Sequence, residues 1–289
     1  MGRAPPRAGG AGFSSRAGKS ERRQAVGVAP GVLAVGRQRK RLQLPEQGCG
    51  HGEEQQQTRD LRTRFQHVFF GPNTKWLLDY VDELIAAKAP GGTVLDYGCF
   101  TGDLYGMLAP FRPARIVGID ISEEGIRQAR ARYGQFVEYL VMDAHRTTFP
   151  DATFDLVVGR SILHHLDWEV AIMEVHRILK PGGMAVFTEP LGGNPAAKLI
   201  RAATPKARTP DERPVFRSQI RFADELFGSN RHRYANLLSV PLAMLTSLGL
   251  KSPDNAILRA VDPIDRFLSR TPLRYWMRQA ALVWTKTKG

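Results

Sequence analysis

Between residues 73 and 188 the apolar positions change period several times, and each change marks an element. Trp76, Leu77, Tyr80, Val81, Leu84 and Ile85 recur at three- and four-residue spacing, which predicts an amphipathic helix ended by Gly91-Gly92. Short apolar runs bounded by Gly or Asp follow at 93–97, 116–119, 137–142, 156–159 and 184–188, each of strand length. Between them, 123–133 and 168–179 read as helices, the second stopped by Pro181-Gly182-Gly183. Strands alternating with helices predict an α/β fold with a doubly wound, mostly parallel sheet, in which ligands bind beyond the carboxyl ends of the strands.

The last third carries a different pattern. Two apolar runs, 234–240 and 280–285, are expected to pair as an antiparallel edge, and 241–276 between them reads as a helical insertion rich in Leu and Ile. An insertion at the ligand end of a sheet is expected to act as a lid over an apolar substrate, although ordinary packing would use the same residues. The longest uncharged stretch, 234–250, is interrupted by Asn236, Ser239, Pro241 and Gly249 and is too short to span a membrane.

Charge divides the chain. Of the net +13, residues 1–45 hold ten Lys and Arg against one acid, Glu21, a surplus of +9 that leaves the rest only mildly basic. Gly, Ser, Pro and Arg dominate this segment, so residues 1–60 are expected to be a disordered basic arm and 61–289 the folded domain. Phe13 is the arm's only aromatic side chain, which gives base stacking little to work with; nucleic acid is not the expected partner. Two cysteines, Cys49 and Cys99, exclude a disulfide framework or a Cys-rich zinc module and suit a reducing, cytoplasmic setting. Cys49 and His51 are an isolated pair and His164-His165 are adjacent, so no metal is expected.

The chemistry concentrates in VLDYGCFTGD, residues 94–103, where a buried strand delivers an acid into a Gly-containing turn. Backbone N–H groups and a helix N-terminus would suit a pyrophosphate, but Asp96 and Asp103 bracket this turn and would repel one. S-adenosylmethionine carries an ammonium and a sulfonium in place of phosphate, and nearby carboxylates favour it. Asp120 ends IVGID 22 residues after Gly98, the offset at which a carboxylate accepts ribose hydroxyls. Asp143, in VMDA after the next strand, stands where it could accept an adenine amino group. Helix capping is the alternative for each Asp taken singly.

On DYGCFTG, GID, MDA, FDLVVGRSILHHL, EVHRILKPGG, FTEPLGGNP and RTPDERP, the chain from about residue 73 to 289 resembles the class I S-adenosylmethionine-dependent methyltransferases of the small-molecule, secondary-metabolism type. The resemblance implies a Rossmann-like sheet of seven strands with the last antiparallel. It implies that Asp96, Gly98 and Gly102 hold the methionine end, Asp120 the ribose, and Asp143 with Ala144 the adenine; Cys99, Ile121 and Arg160 are counted with this set. One residue departs from the family: Phe100 stands where Gly is usual. If its φ is negative the ring simply covers the methionine; if positive, the turn is strained.

In-line methyl transfer requires alignment, and a base only where the nucleophile carries a proton. Candidate catalytic residues are His164 and His165 after the fourth strand and Glu189 after the fifth, with packing, cofactor-loop hydrogen bonding or turn capping as their alternatives. The charged run 208–213 reads as a salt-bridged or acceptor-binding loop. The expected activity is methyl transfer to a small, hydrophobic metabolite; an RNA- or protein-directed enzyme using the arm, or a non-catalytic cofactor-binding protein, are the rivals. The acceptor atom and the oligomeric state are open at this level.

Overall fold

In the computed structural model the described residues are Thr63, 66–194 and 213–288, all within one compact unit, Arg41–Gly289. The expectations for the arm at 1–60 and for 208–212 lie outside them. The helices are α1 (Gln66–Phe70), α2 (Pro72–Lys88), α3 (Tyr105–Leu108), α4 (Glu123–Tyr133), α5 (Trp168–Ile178), α6 (Arg217–Phe227), α7 (Ser239–Gly249) and α8 (Ala256–Leu268). The strands are β1 (Thr93–Tyr97), β2 (Arg115–Asp120), β3 (Glu138–Val141), β4 (Phe154–Arg160), β5 (Leu179–Pro190), β6 (Arg233–Ala235) and β7 (Gln279–Thr285).

Seven strands form one sheet in the order β3-β2-β1-β4-β5-β7-β6, parallel except for β7, which runs against both neighbours. Strand order reverses between β1 and β4, so their carboxyl ends open the crevice where such sheets bind ligands. Period-two alternation builds a core on each face: Leu95, Tyr97, Leu282 and Trp284 pack with α5 and α6, while Val94, Val283 and Ala281 pack with α2 and α4. The helices begin where local chemistry says they should. Pro72 opens α2, the Ser122 hydroxyl accepts the Gly125 N–H at 3.0 Å to cap α4, and Asp167 accepts from Val170 at 3.3 Å to cap α5.

Two sequence expectations change. Helix α5 stops at Ile178 and Leu179 already pairs with Phe154, so Lys180–Gly183 is an irregular start of β5, with a register shift opposite Phe154/Leu156. The run 234–240 is strand only to Ala235: Asn236 adopts φ 72°, and α7 begins at Ser239. The turn between them is organised by Asp265 on α8. Its fully buried carboxylate accepts from the backbone N–H groups of Leu237, Leu238 and Ser239 at 3.1, 2.8 and 3.1 Å and from the Ser239 hydroxyl at 2.6 Å.

Gln279 pairs with both Pro190 and Ala235, so the helical insertion leaves and rejoins the sheet at its carboxyl end. There α8 meets the start of α2 through Asn73, whose amide donates to Asp262 at 2.8 Å and whose carbonyl accepts from Asn236 N at 2.6 Å. Among the described residues no helix is long and apolar enough to cross a membrane. Removing the Asp265 carboxylate would strand the buried N–H and hydroxyl of Ser239 and free the N–H groups of Leu237 and Leu238; Asp265→Ala should cost about 3 kcal/mol of stability, read as a lowered urea midpoint.

Candidate active site

The turn after β1 is shaped by its glycines. Gly98 and Gly102 adopt φ 78° and 79°, and a Cβ on Gly98 would lie 2.5 Å from Ile162, which follows β4. Phe100 also has positive φ, 41°, so the second alternative posed by the sequence holds: the turn carries backbone strain at a non-glycine residue. Its ring lies over the first turn of α4, where a Cβ on Gly125 would be 2.8 Å from it; Gly125 makes the room.

Asp96 is 2% exposed, and one of its oxygens, Oδ1, has no hydrogen-bond partner among the described residues. Burial pushes its pKa up to about 8; Arg160 at the end of β4 opposes this, and Asp120 and Asp103 add to it. Asp103, by contrast, is occupied: Arg132 of α4 pairs with it at 2.8 Å and also donates to Thr101 O at 3.2 Å. The favourable charge that the sequence assigned to both acids therefore falls to Asp96.

Asp120 accepts from Phe100 N and Ser122 N, each at 2.9 Å, one on each oxygen. These bonds orient the carboxylate and leave acceptor capacity on both oxygens. Beside it Ile121 is 74% exposed, an apolar face with no packing partner in the core. Asp143 is exposed and accepts from His145 N and His145 Nδ1, both at 2.8 Å, and these bonds hold its carboxyl below the usual range. His145 Nε2 in turn accepts from Asp167 N at 2.9 Å, joining the loop after β3 to the cap of α5. The adjacent Ala144 carbonyl accepts from the Tyr97 hydroxyl.

The two catalytic candidates from different strands converge. Glu189 is fully buried, and its Oε1 accepts from Ile162 N and Leu163 N, both at 3.0 Å, while its Oε2 meets His164 Nδ1 at 2.7 Å. His165 stacks on His164 with ring centroids 4.1 Å apart. Glu189 thus lies behind His164, holding its Nδ1 as donor and leaving Nε2 with a lone pair. Past the end of β5, Gly193, Phe216, Arg217, Pro272, Tyr275 and Trp276 surround an open cleft of about 260 Å³.

Residues 95–187 match the family model described as a methyltransferase domain. Over that stretch the chain is similar to methyltransferases. It is 37% identical over 122 residues to the ubiquinone/menaquinone biosynthesis C-methyltransferase UbiE of Desulfotalea psychrophila, covering 40% of this chain and 48% of that one. It is 36% identical over 106 residues to the fatty-acid O-methyltransferase of Mycolicibacterium smegmatis, covering 36% and 39%. It thus spans less than half the length of these curated relatives. In fold it is similar to the PH0226 protein of Pyrococcus horikoshii OT3, with TM-score 0.51, 18% identity, and coverage of 82% of this chain and 100% of that one.

Sequence reasoning missed Arg132, His145 and the aromatic cleft. Only His145 left a local trace, two residues after an Asp whose side chain closes a turn onto it. Among the described residues no three His, Cys, Asp or Glu side chains are gathered to hold a metal.

The raised Asp96 pKa gives a signed prediction. Burial raises its carboxyl from the ordinary 3.8 to about 8, so between these values the folded state holds the extra proton. Stability from this group is full below the lower value and is lost as pH rises toward about 8. Urea midpoints of the ligand-free protein should fall from pH 5 to pH 8, and Asp96→Asn should flatten that slope.

Proposed function

We propose that the protein transfers the methyl group of S-adenosylmethionine to a small, hydrophobic acceptor, with His164 as the base and Glu189 as the residue that positions it. The observation that carries this reading is the placing of three carboxylates, Asp96, Asp120 and Asp143, near or just past the carboxyl ends of β1, β2 and β3, with β1 neighbouring β4, after which the Glu189-bound His164 follows.

When bound, the cofactor supplies a methyl group on a sulfonium centre. Asp120 accepts the ribose hydroxyls, Asp143 with Ala144 accepts the adenine amino group, and Ile121 covers the ring. Cys99, Gly98 and Gly102 let the backbone approach, and Arg160 closes the β4 side. Asp96 answers the cationic end; its unpartnered buried oxygen and raised pKa fit a site that ionises fully only against a positive ligand. His164 takes the acceptor's proton on Nε2 while Glu189 stabilises the imidazolium through Nδ1. The acceptor lies toward the cleft of Phe216, Tyr275 and Trp276, whose rings favour an apolar body. Relatives named for quinone biosynthesis and fatty-acid methylation support that class.

Calorimetric titration with S-adenosylmethionine should give micromolar binding that Asp120→Ala abolishes and that tightens as pH rises toward 8, as Asp96 ionises. In an acceptor screen, His164→Gln should lower kcat by about 10²–10⁴ with cofactor affinity unchanged. A His164→Gln enzyme with wild-type kcat at every pH would remove the base assignment.

Phe100 supports a second reading, a cofactor-binding protein without transfer, because its positive φ strains the turn beneath the methionine. Binding without turnover on any acceptor would favour it. Absence of binding by the folded protein, restored in Phe100→Gly, would show that the aromatic residue closes the site.

A further inference from the structure

Both long helices of the insertion turn an apolar stripe to solvent. On α7, Pro241, Leu245 and Leu248 follow one another at i, i+4 and i+7 on the solvent side, with Leu245 and Leu248 65% and 66% exposed. The side facing the protein carries Ser239, Val240, Ala243 and Thr246, and Thr246 meets His67 Nδ1 at 2.8 Å. On α8 the solvent stripe is Ile257, Ala260, Ile264 and Phe267, and the inward stripe is Leu258, Asp262 and Asp265. A helix that only packs onto a water-soluble domain has the opposite polarity.

The bias is regional. Of the sixteen large apolar side chains exposed among the described residues, nine lie between Leu238 and Trp276. The exposed charges in that interval are Lys251, Arg259, Arg270 and a single acid, Asp254, which lies 3.7 Å from Arg259; Asp262 and Asp265 are turned inward.

We propose that the outer face of α7 and α8 docks this protein on an anionic lipid bilayer, lying in the interface without crossing it. Apolar stripes flanked by cations are what such a surface receives: the leucines and Phe267 enter the acyl boundary, and Lys251, Arg259 and Arg270 meet the headgroups. A second copy of the chain is the poorer occupant, since a two-fold contact would set cations against cations. Because the insertion leaves and rejoins the sheet at its carboxyl end, docking would turn the crevice side toward the membrane, where an acceptor of low solubility is dissolved. The docking surface itself stands apart from the methyl-transfer reading, and its test needs no acceptor.

The experiment is co-sedimentation of the full chain with vesicles of phosphatidylcholine alone and of phosphatidylcholine mixed with phosphatidylglycerol. The wild type should bind the mixed vesicles more tightly, and less so as salt is raised. The Leu245→Glu/Leu248→Glu protein, and separately Phe267→Glu, should bind at least about tenfold more weakly while keeping wild-type urea midpoints. Binding that the substitutions leave unchanged would assign the lipid contact to the basic residues 1–45 and overturn the proposal. So would absence of binding to either vesicle, or a dimer in sedimentation velocity that Leu245→Glu/Leu248→Glu dissociates. Phe267→Glu serves as the second variant should the double substitution unfold.

Discussion

A single buried carboxylate ties the two halves of the site together. Glu189 at the end of β5 accepts both backbone N–H groups of Ile162 and Leu163 and orients His164, so the chain leaving β4 has one conformation available to it. Ile162, held in that turn, packs where a Cβ on Gly98 would be. The turn after β1 and the turn bearing His164 therefore share one side chain as their boundary. Neutralising Glu189 would be felt at once in the backbone at 162–163, through Oε1, and in the His164 imidazole, through Oε2. Because three donors converge on two oxygens, the group serves better as a rigid acceptor than as a mobile proton carrier.

The insertion reaches the sheet through polar contacts to a degree unusual for a core. Asn73, Thr74, Asn236, Ser239, Asp262 and Asp265 are all buried, and their hydrogen bonds run between α2, the end of β6 and α8. Such a network demands specific partners where an apolar contact would tolerate many, so it defines one seating for the helices at the mouth of the crevice. Leu245 and Leu248, which would ordinarily perform this task, are on the outside.

Where information was local, the sequence was readable. Thr93–Tyr97 and Glu123–Tyr133 have the same bounds in pattern and structure because strand alternation, Ser122 and the flanking Gly residues lie within a few positions of each other. The acids Asp96, Asp120 and Asp143 were visible for the same reason, each standing at or just past the end of its own strand. Distance defeats this kind of reading. Lys180–Gly183 has the composition of a turn and became strand because Leu179 and Met184 on either side of it pair with Phe154 and Leu156. Asp103 offers no hint that Arg132, on a later helix, claims it, and Glu189 none that His164 does. The aromatic cleft draws Phe216 and Trp276 from elements that share no period.

Phe100 and Gly125 form a lock between two positions that no single turn or helix rule would connect. The aromatic ring needs the missing Cβ of Gly125, and the missing Cβ leaves a gap at the head of α4 unless the ring fills it. Exchange at either position is thus conditional on the other: with phenylalanine at 100 a methyl group at 125 is excluded by the ring, and with glycine at 100 it would have only the backbone oxygen of residue 100, at 3.2 Å, to meet. A lineage could pass between the two states only in one order, glycine at 125 first.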